Sequence, residues 1–184
     1  MTVEVLNTDF EGRVLLCDAL TLAAQEAPDV IIDVATLTES CVVALGPAVA
    51  GLFSNDDDLA DRVLGAADKA GEPVWRLPLD ERYADQVRSE IADLKNFPGT
   101  KYGRAITAAL FLSRFVPLQT AWAHLDIAGP AWSDRHGGLG ATGFSTATLL
   151  RFLESTAQQP IQTFRPPARA AAASARDRHD NNGD

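Results

Sequence analysis

Two strand-length apolar runs constrain this chain more than anything else in it. Val30-Ile31-Ile32-Asp33-Val34-Ala35 and Trp122-Ala123-His124-Leu125-Asp126-Ile127-Ala128 are nearly continuous in apolar residues, with little polar alternation. Alternate residues of a strand point to opposite faces, so a strand that is apolar on both has to be covered from both sides. Helical segments surround these runs: Gly12 to Ala27, stopped by Pro28, and Asp56 to Ala70, with acids in its first turn and Lys69 near its end. Arg104 to Val116, closed by Pro117, and Phe144 to Glu154 are two more. Thr2–Leu6 is a short strand or the end of one, and Pro47–Ser54 is another short strand. Trp75–Leu79 is an extended connection, and Asp80–Lys95 holds one or two helical turns. Strands alternating with helices predict an α/β fold, with a mixed, largely parallel sheet flanked by helices.

The 184 residues suit one domain. Residues 1–157 are expected to fold, and 158–184 to form a disordered tail. That tail holds Pro166-Pro167, an alanine run and a polar end from Arg176 to Asp184, with no apolar area to bury. A net charge of −9 argues against a nucleic-acid partner, which wants a basic face, and suits a protein that attracts cations. Cys17 and Cys41 lie inside apolar runs and form no Cys-x-x-Cys pair, so buried free thiols in a reducing compartment are expected. No apolar run approaches the ~20 residues of a membrane span and no signal peptide is visible, so a soluble, cytoplasmic protein with no membrane partner is expected.

The chemistry concentrates in Asn7-Thr8-Asp9-Phe10-Glu11-Gly12-Arg13, where a strand hands over to a helix. Carboxylates two residues apart on an extended loop can point the same way and grip hard divalent cations. Arg13 could then hold an anion or a developing oxyanion beside the metals. A structural reading competes: Thr8-x-x-Glu11 fits a capping box, and acids in a first helical turn are common for dipole reasons alone. Asp33 and His124, inside the apolar runs, are expected to be a hydrogen-bonded structural acid and a core histidine, with a functional role as the alternative for each. His136 and His179 are expected to be exposed. Gly137-Gly138-Leu139-Gly140-Ala141-Thr142-Gly143 precedes a helix as anion-binding loops do, but it lacks the Lys-Ser or Lys-Thr of a P-loop.

The Asn7–Arg13 stretch resembles the signature of the leucine (cytosol) aminopeptidase family, Asn-Thr-Asp-Ala-Glu-Gly-Arg. Further segments resemble that family in the same order. They are Ile32–Thr38, Ala44–Gly46 with Gly51–Asn55, Glu72–Leu79, Ser89–Asn96, Trp122–Pro130 and Gly140–Phe144, so the likeness runs from about Val3 to Leu153. It implies a three-layer aminopeptidase-like fold and a two-metal exopeptidase that releases N-terminal amino acids, leucine-type, from peptides. It implies that Asp9 binds or bridges two divalent ions, manganese or zinc, partly through its backbone carbonyl, and that Glu11 bridges them. Arg13 would hold a bicarbonate acting as general base toward the attacking water. Asn7 and Phe10 would face the leaving-group side of the cleft, Thr36 and Leu37 would line it, and Ala128 with Ala131 would help form the pocket for the first side chain. Tight strand and turn packing is the alternative for the two alanines. The resemblance also implies assembly as a homo-hexamer.

The family carries a metal-binding lysine, two further aspartates and a catalytic lysine upstream of the Asn7–Arg13 motif. This chain begins too close to that motif to include them, so its sheet is expected to be incomplete on its N-terminal side. Three departures stand out. Phe10 replaces a small alanine and would narrow the leaving-group subsite, Glu39 replaces glycine beside the substrate, and Arg104 replaces a small residue. The alternative to an enzyme is a truncated, non-catalytic relative serving as a structural or binding module, or a gene fragment. A nucleotide-binding α/β domain, resting on the glycine-rich loop alone, is a third reading.

Overall fold

The computed structural model describes residues 1–134 and 140–161. The predicted tail beyond residue 161, with His179, and the centre of the glycine-rich loop, with His136, lie outside the described residues. A four-stranded sheet forms the middle layer, in the order β2 (Val30–Ala35), β6 (Ala121–Asp126), β3 (Ala50–Ser54), β4 (Val74–Arg76). β2 runs parallel to β6 and β3 parallel to β4, while β3 and β6 are antiparallel. The two runs that dominate the sequence therefore lie side by side, with Val30 opposite Ala121 and Ala35 opposite Asp126.

Their alternation builds two cores. On one face Ile31, Phe53 and Trp122 pack against Cys17 and Leu20 of α1 (Glu11–Gln25), Cys41 of α2 (Glu39–Leu45), and Ala109 and Leu112 of α4 (Arg104–Ser113). On the other, Leu52, Ala121, Ala123 and Leu125 pack against Leu59, Ala60 and Val63 of α3 (Asp57–Ala70) and Phe152 of α5 (Thr146–Gln158). Helix, sheet and helix make three layers, as the absence of a solvated strand face requires. β2 is an edge strand whose outer side has no partner among the described residues.

The ends of α3 are written locally. Asp56 is its N-cap and accepts a hydrogen bond from the Leu59 amide, Asp57 and Asp58 fill the first turn, Lys69 the last, and Gly71 closes it at φ 69°. The seven-residue α2 was not anticipated. Its apolar, β-branched sequence carries no helical period, but the Thr38 side chain caps the Cys41 amide and starts the helix. α4 ends at Ser113, short of Val116, and α5 runs through Gln158, past the predicted Glu154 and one residue beyond the predicted domain boundary.

The short strand β1 (Val3–Glu4) pairs in parallel with β5 (Leu94–Lys95), away from the main sheet. Glu81–Val87 forms the expected helical turns as 3-10 helix. The ends of the glycine-rich loop form a two-residue antiparallel ladder, β7 (Trp132–Ser133) with β8 (Gly140–Ala141).

Candidate functional site

Asn96 sets the position of the acidic motif. It is fully buried just after β5. Its Oδ1 accepts from the amides of Leu6 and Asn7, and its Nδ2 donates to the carbonyls of Asn7 and Phe10. One amide side chain thus satisfies four backbone groups of a segment about ninety residues away in sequence. Asp93 and Ser89 fasten the same stretch further back, through Thr2 and Glu4.

Beyond this clasp, Thr8–Phe10 makes a 3-10 turn whose cap is Asn7, with Oδ1 accepting from the Asp9 amide at 2.9 Å. The capping box, the competing structural reading of Thr8 and Glu11, does not form. Glu11 is the first residue of α1, its N-cap is Phe10, and no side chain caps that helix. Asp9 and Glu11 are exposed, and neither carboxylate has a hydrogen-bond or ion-pair partner among the described residues.

Arg13 behaves differently, as the first buried residue of α1 at 2% exposure. Its guanidinium carbon lies 4.8 Å from the centre of the Phe10 ring and 5.9 Å from that of Phe111. Its Nη1 has no hydrogen-bond partner among the described residues. Burial first, and the charge of Arg104 second, push this guanidinium down to about 10. A buried unpaired cation of this kind suits a planar anion able to accept its free donors.

A second group of candidate residues gathers where β2 and β6 end. Asp126, 1% exposed, accepts from the amides of Leu37, Thr38 and Ala128 and from the Thr38 hydroxyl. It therefore fixes the loop after β2 and the turn after β6 together. Thr36 is exposed there, and Leu37, Ala128 and Ala131 are half-buried. Gly129 lets this turn close on the end of α2, since a Cβ there would stand 2.8 Å from the Gly46 carbonyl oxygen. Burial, then the nearby Asp126 charge, push the Cys41 thiol up to about 12.

The two groups meet at Leu37, whose Cδ1 lies 3.6 Å from where a Cβ on Gly12 would stand. Glu39 is exposed at the first position of α2. Asp33 and His124 face the core side. Asp33 accepts from Trp122 Nε1 at 2.7 Å and lies 2.5 Å from His124 Nδ1, and the His124 ring lies roughly parallel to those of Phe53 and Trp122. Both are packed into the sheet, as expected of structural groups.

Sequence reasoning missed Asn96 and Asp126 as organisers of the site. Asn96 ends one segment that carries the family likeness and Asp126 lies inside another, and that membership was the available signal. An open groove of about 620 Å³, lined by Val14, Cys17, Arg114 and Phe115 among others, contains none of the candidate residues.

Asp9 and Glu11 offer the hard oxygen donors that divalent cations prefer. Among the described residues, however, no three His, Cys, Asp or Glu side chains cluster closely enough to hold an ion. The donor type fits and the donor number supplies only part of a coordination shell.

The sequence profile described as "Cytosol aminopeptidase family, catalytic domain" matches residues 1–150. A probable cytosol aminopeptidase of Synechococcus sp. (strain CC9605) is 52% identical over 156 residues, covering 83% of this chain and 32% of that protein. Among solved structures, the bottromycin maturation enzyme BotP in complex with Mn superposes with a TM-score of 0.79 at 44% identity, over 83% of this chain and 35% of that one. A mutant of tomato leucine aminopeptidase superposes with a TM-score of 0.78 at 49% identity, over 82% of this chain and 29% of that one. The chain thus spans about a third of the length of the relatives it matches. With its three layers, its motif and these likenesses in agreement, the chain belongs to the cytosol aminopeptidase family, within the catalytic domain.

Proposed function

We propose that the chain carries part of the dimetal centre and of the substrate cleft of an aminopeptidase releasing N-terminal amino acids, leucine-type, from peptides. The observation that carries this reading is the contrast within the motif: its backbone is held by Asn96, while the Asp9 and Glu11 carboxylates have no partner among the described residues. The two carboxylates would supply the acidic part of the coordination of two divalent ions, manganese or zinc. When bound, such ions supply Lewis-acid activation of the scissile carbonyl. Manganese is supported by the Mn complex of BotP.

Arg13 would hold a bicarbonate through its free Nη1. Thr36 and Leu37 would line the cleft, the Leu37 backbone being fixed for this by Asp126. Ala128 would border the pocket for the first side chain, and Asn7 would border the leaving-group side. A cytosolic setting and a homo-oligomer, hexameric as the family resemblance implies, complete the proposal. Exposed Trp75, Ile91 and Tyr102 offer apolar surface that such an assembly would cover.

The shortfall of clustered ligands favours a second reading, a non-catalytic module of the same family. Hydrolysis of a chromogenic leucine amide with added manganese or zinc separates the two. Activity lost in Asp9→Ala/Glu11→Ala supports the enzyme. A folded chain without activity supports the module, and activity unchanged in the double variant contradicts the roles given to Asp9 and Glu11.

A further inference from the structure

Phe10 separates the two carboxylates of the motif. Asp9 belongs to the 3-10 turn and Glu11 is the first residue of α1, so the two backbone torsions of Phe10 set where one acid stands relative to the other. Those torsions, φ −111° and ψ 33°, are neither helical nor extended, so neither neighbouring element prescribes them. No side chain caps α1 to supply the missing constraint. Asn96 reaches the Phe10 carbonyl only at 3.4 Å, against 2.7 Å for the Asn7 carbonyl.

The Phe10 side chain is held instead. Its ring meets that of Phe97 edge-on, with 5.0 Å between centres and 68° between planes. The Arg104 guanidinium carbon lies 5.5 Å from the centre of each ring. Arg104 Nε donates to the Thr100 carbonyl at 2.8 Å, which ties the cation to the loop that follows Phe97. Phe97 comes directly after Asn96, so adjacent residues hold the backbone and the ring of the motif.

The place of Arg104 is otherwise unfavourable. It opens α4, where the helix dipole disfavours a cation, and neither an acid in the first turn nor a capping side chain offsets it. Its charge adds to the burial that pushes the Arg13 guanidinium down. Among the described residues Arg62, Arg76, Arg82, Arg88, Arg114 and Arg151 each pair with a carboxylate, and Arg104 pairs with none. A residue that breaks local rules without a local gain marks a functional constraint. Phe10 and Arg104 are also two of the positions where the chain departs from the family pattern, and they are in contact with each other.

We propose that Arg104 is a positioning residue: with Phe97 it clamps the Phe10 ring, and through that ring it fixes the Asp9 and Glu11 carboxylates relative to each other. The Asn96 clasp sets where the motif begins, and the Arg104 clamp sets how it enters α1. The clamp stands on contacts within the fold, whereas a consequence for metal binding rests on the aminopeptidase reading.

The test compares the full 184-residue chain with Arg104→Ala, Arg104→Lys, Phe10→Ala and Phe10→Ala/Arg104→Ala, each checked for folding by its thermal transition. Amide hydrogen exchange, resolved by nuclear magnetic resonance, is read at positions 9 and 10, with Leu6, Asn7 and the β2–β6 ladder as references. The proposal predicts exchange at positions 9 and 10 at least about fivefold faster in Arg104→Ala, with the references unchanged. Phe10→Ala does the same, and the double variant adds nothing further. Arg104→Lys restores part of the protection, because it keeps the charge and loses the planar group that stacks. A role confined to α4 predicts the reverse, an unchanged or stabler chain with positions 9 and 10 undisturbed, because alanine suits that first turn better. Titration of the same variants with Mn²⁺, followed by electron paramagnetic resonance, is the second readout. Arg104→Ala is expected to weaken binding at least about threefold at an unchanged thermal transition. A parent that binds no manganese sinks the metal reading and leaves the exchange rates to decide the clamp. Unchanged exchange at positions 9 and 10, or acceleration shared equally by the references, overturns the proposal. So does manganese affinity indifferent to Arg104→Ala in a parent that binds the ion.

Discussion

Asp126 and Asp9 are both aspartates beside the end of an element, and they are opposites. Asp126 is buried at the end of β6 and meets four donors, from Leu37, Thr38 and Ala128. Asp9 is exposed in a turn just before α1, and its carboxylate meets no donor among the described residues. The same division separates Asn96, whose amide is fully used on backbone groups, from Glu11, whose carboxylate has no partner among the described residues. Side chains with partners built into the fold hold the loops of the site in place. Side chains without partners are available to something that is not protein. Both kinds are required, because a free carboxylate has a defined position only when the backbone beneath it is fixed.

The largest effect is expected at Asp126. Asp126→Ala strands three backbone amides and a hydroxyl in the loops after β2 and β6, and should cost about 3–5 kcal/mol in urea unfolding. A loss below about 1 kcal/mol would erase the distinction between the two aspartates. Asn96→Ala removes the clasp under the motif and should cost about 2–3 kcal/mol. It should also speed hydrogen exchange at the Leu6 and Asn7 amides while leaving the β2–β6 ladder protected.

Cys41 gives a smaller effect confined to alkali. Its folded thiol is raised from 9.0 to about 12, so that part of the stability is intact below pH 9. It declines as the pH rises from about 9 toward 12, because the unfolded thiol ionises first. In the folded chain Cys41 should resist iodoacetamide at pH 9 and react readily in urea. Asp9→Ala/Glu11→Ala is the smallest, expected to shift stability by less than about 0.5 kcal/mol because neither carboxylate bonds to any of the described residues.

What could be read along the chain was what neighbours in sequence decide. The runs at Val30–Ala35 and at Trp122 onward became paired central strands because their composition leaves only a doubly covered position. α3 matched closely because Asp56, Lys69 and Gly71 encode its ends locally. The antiparallel step between β3 and β6 was not legible, since strand direction depends on how distant connections cross. α2 hid because Ser40 to Ala44 carries no helical period, and a single threonine hydroxyl starts it.

The capping box, the alternative reading at Thr8, is absent for a long-range reason. Asn96, distant in sequence, fixes the backbone before the turn, so Asn7 caps it and Glu11 is left free. The acids and Arg13 were identifiable from the motif, but the contact of Phe10 with Phe97 and Arg104 exists only after folding.

Manganese binding tests the central claim most directly, with the full chain titrated and free Mn²⁺ followed by electron paramagnetic resonance. Wild type, Asp9→Asn/Glu11→Gln and Asn96→Ala are compared at matched folded fraction. The account predicts measurable binding by the wild type, weakened at least about tenfold by Asp9→Asn/Glu11→Gln without loss of stability, and weakened less by Asn96→Ala. Equal manganese affinity in the wild type and Asp9→Asn/Glu11→Gln would contradict it.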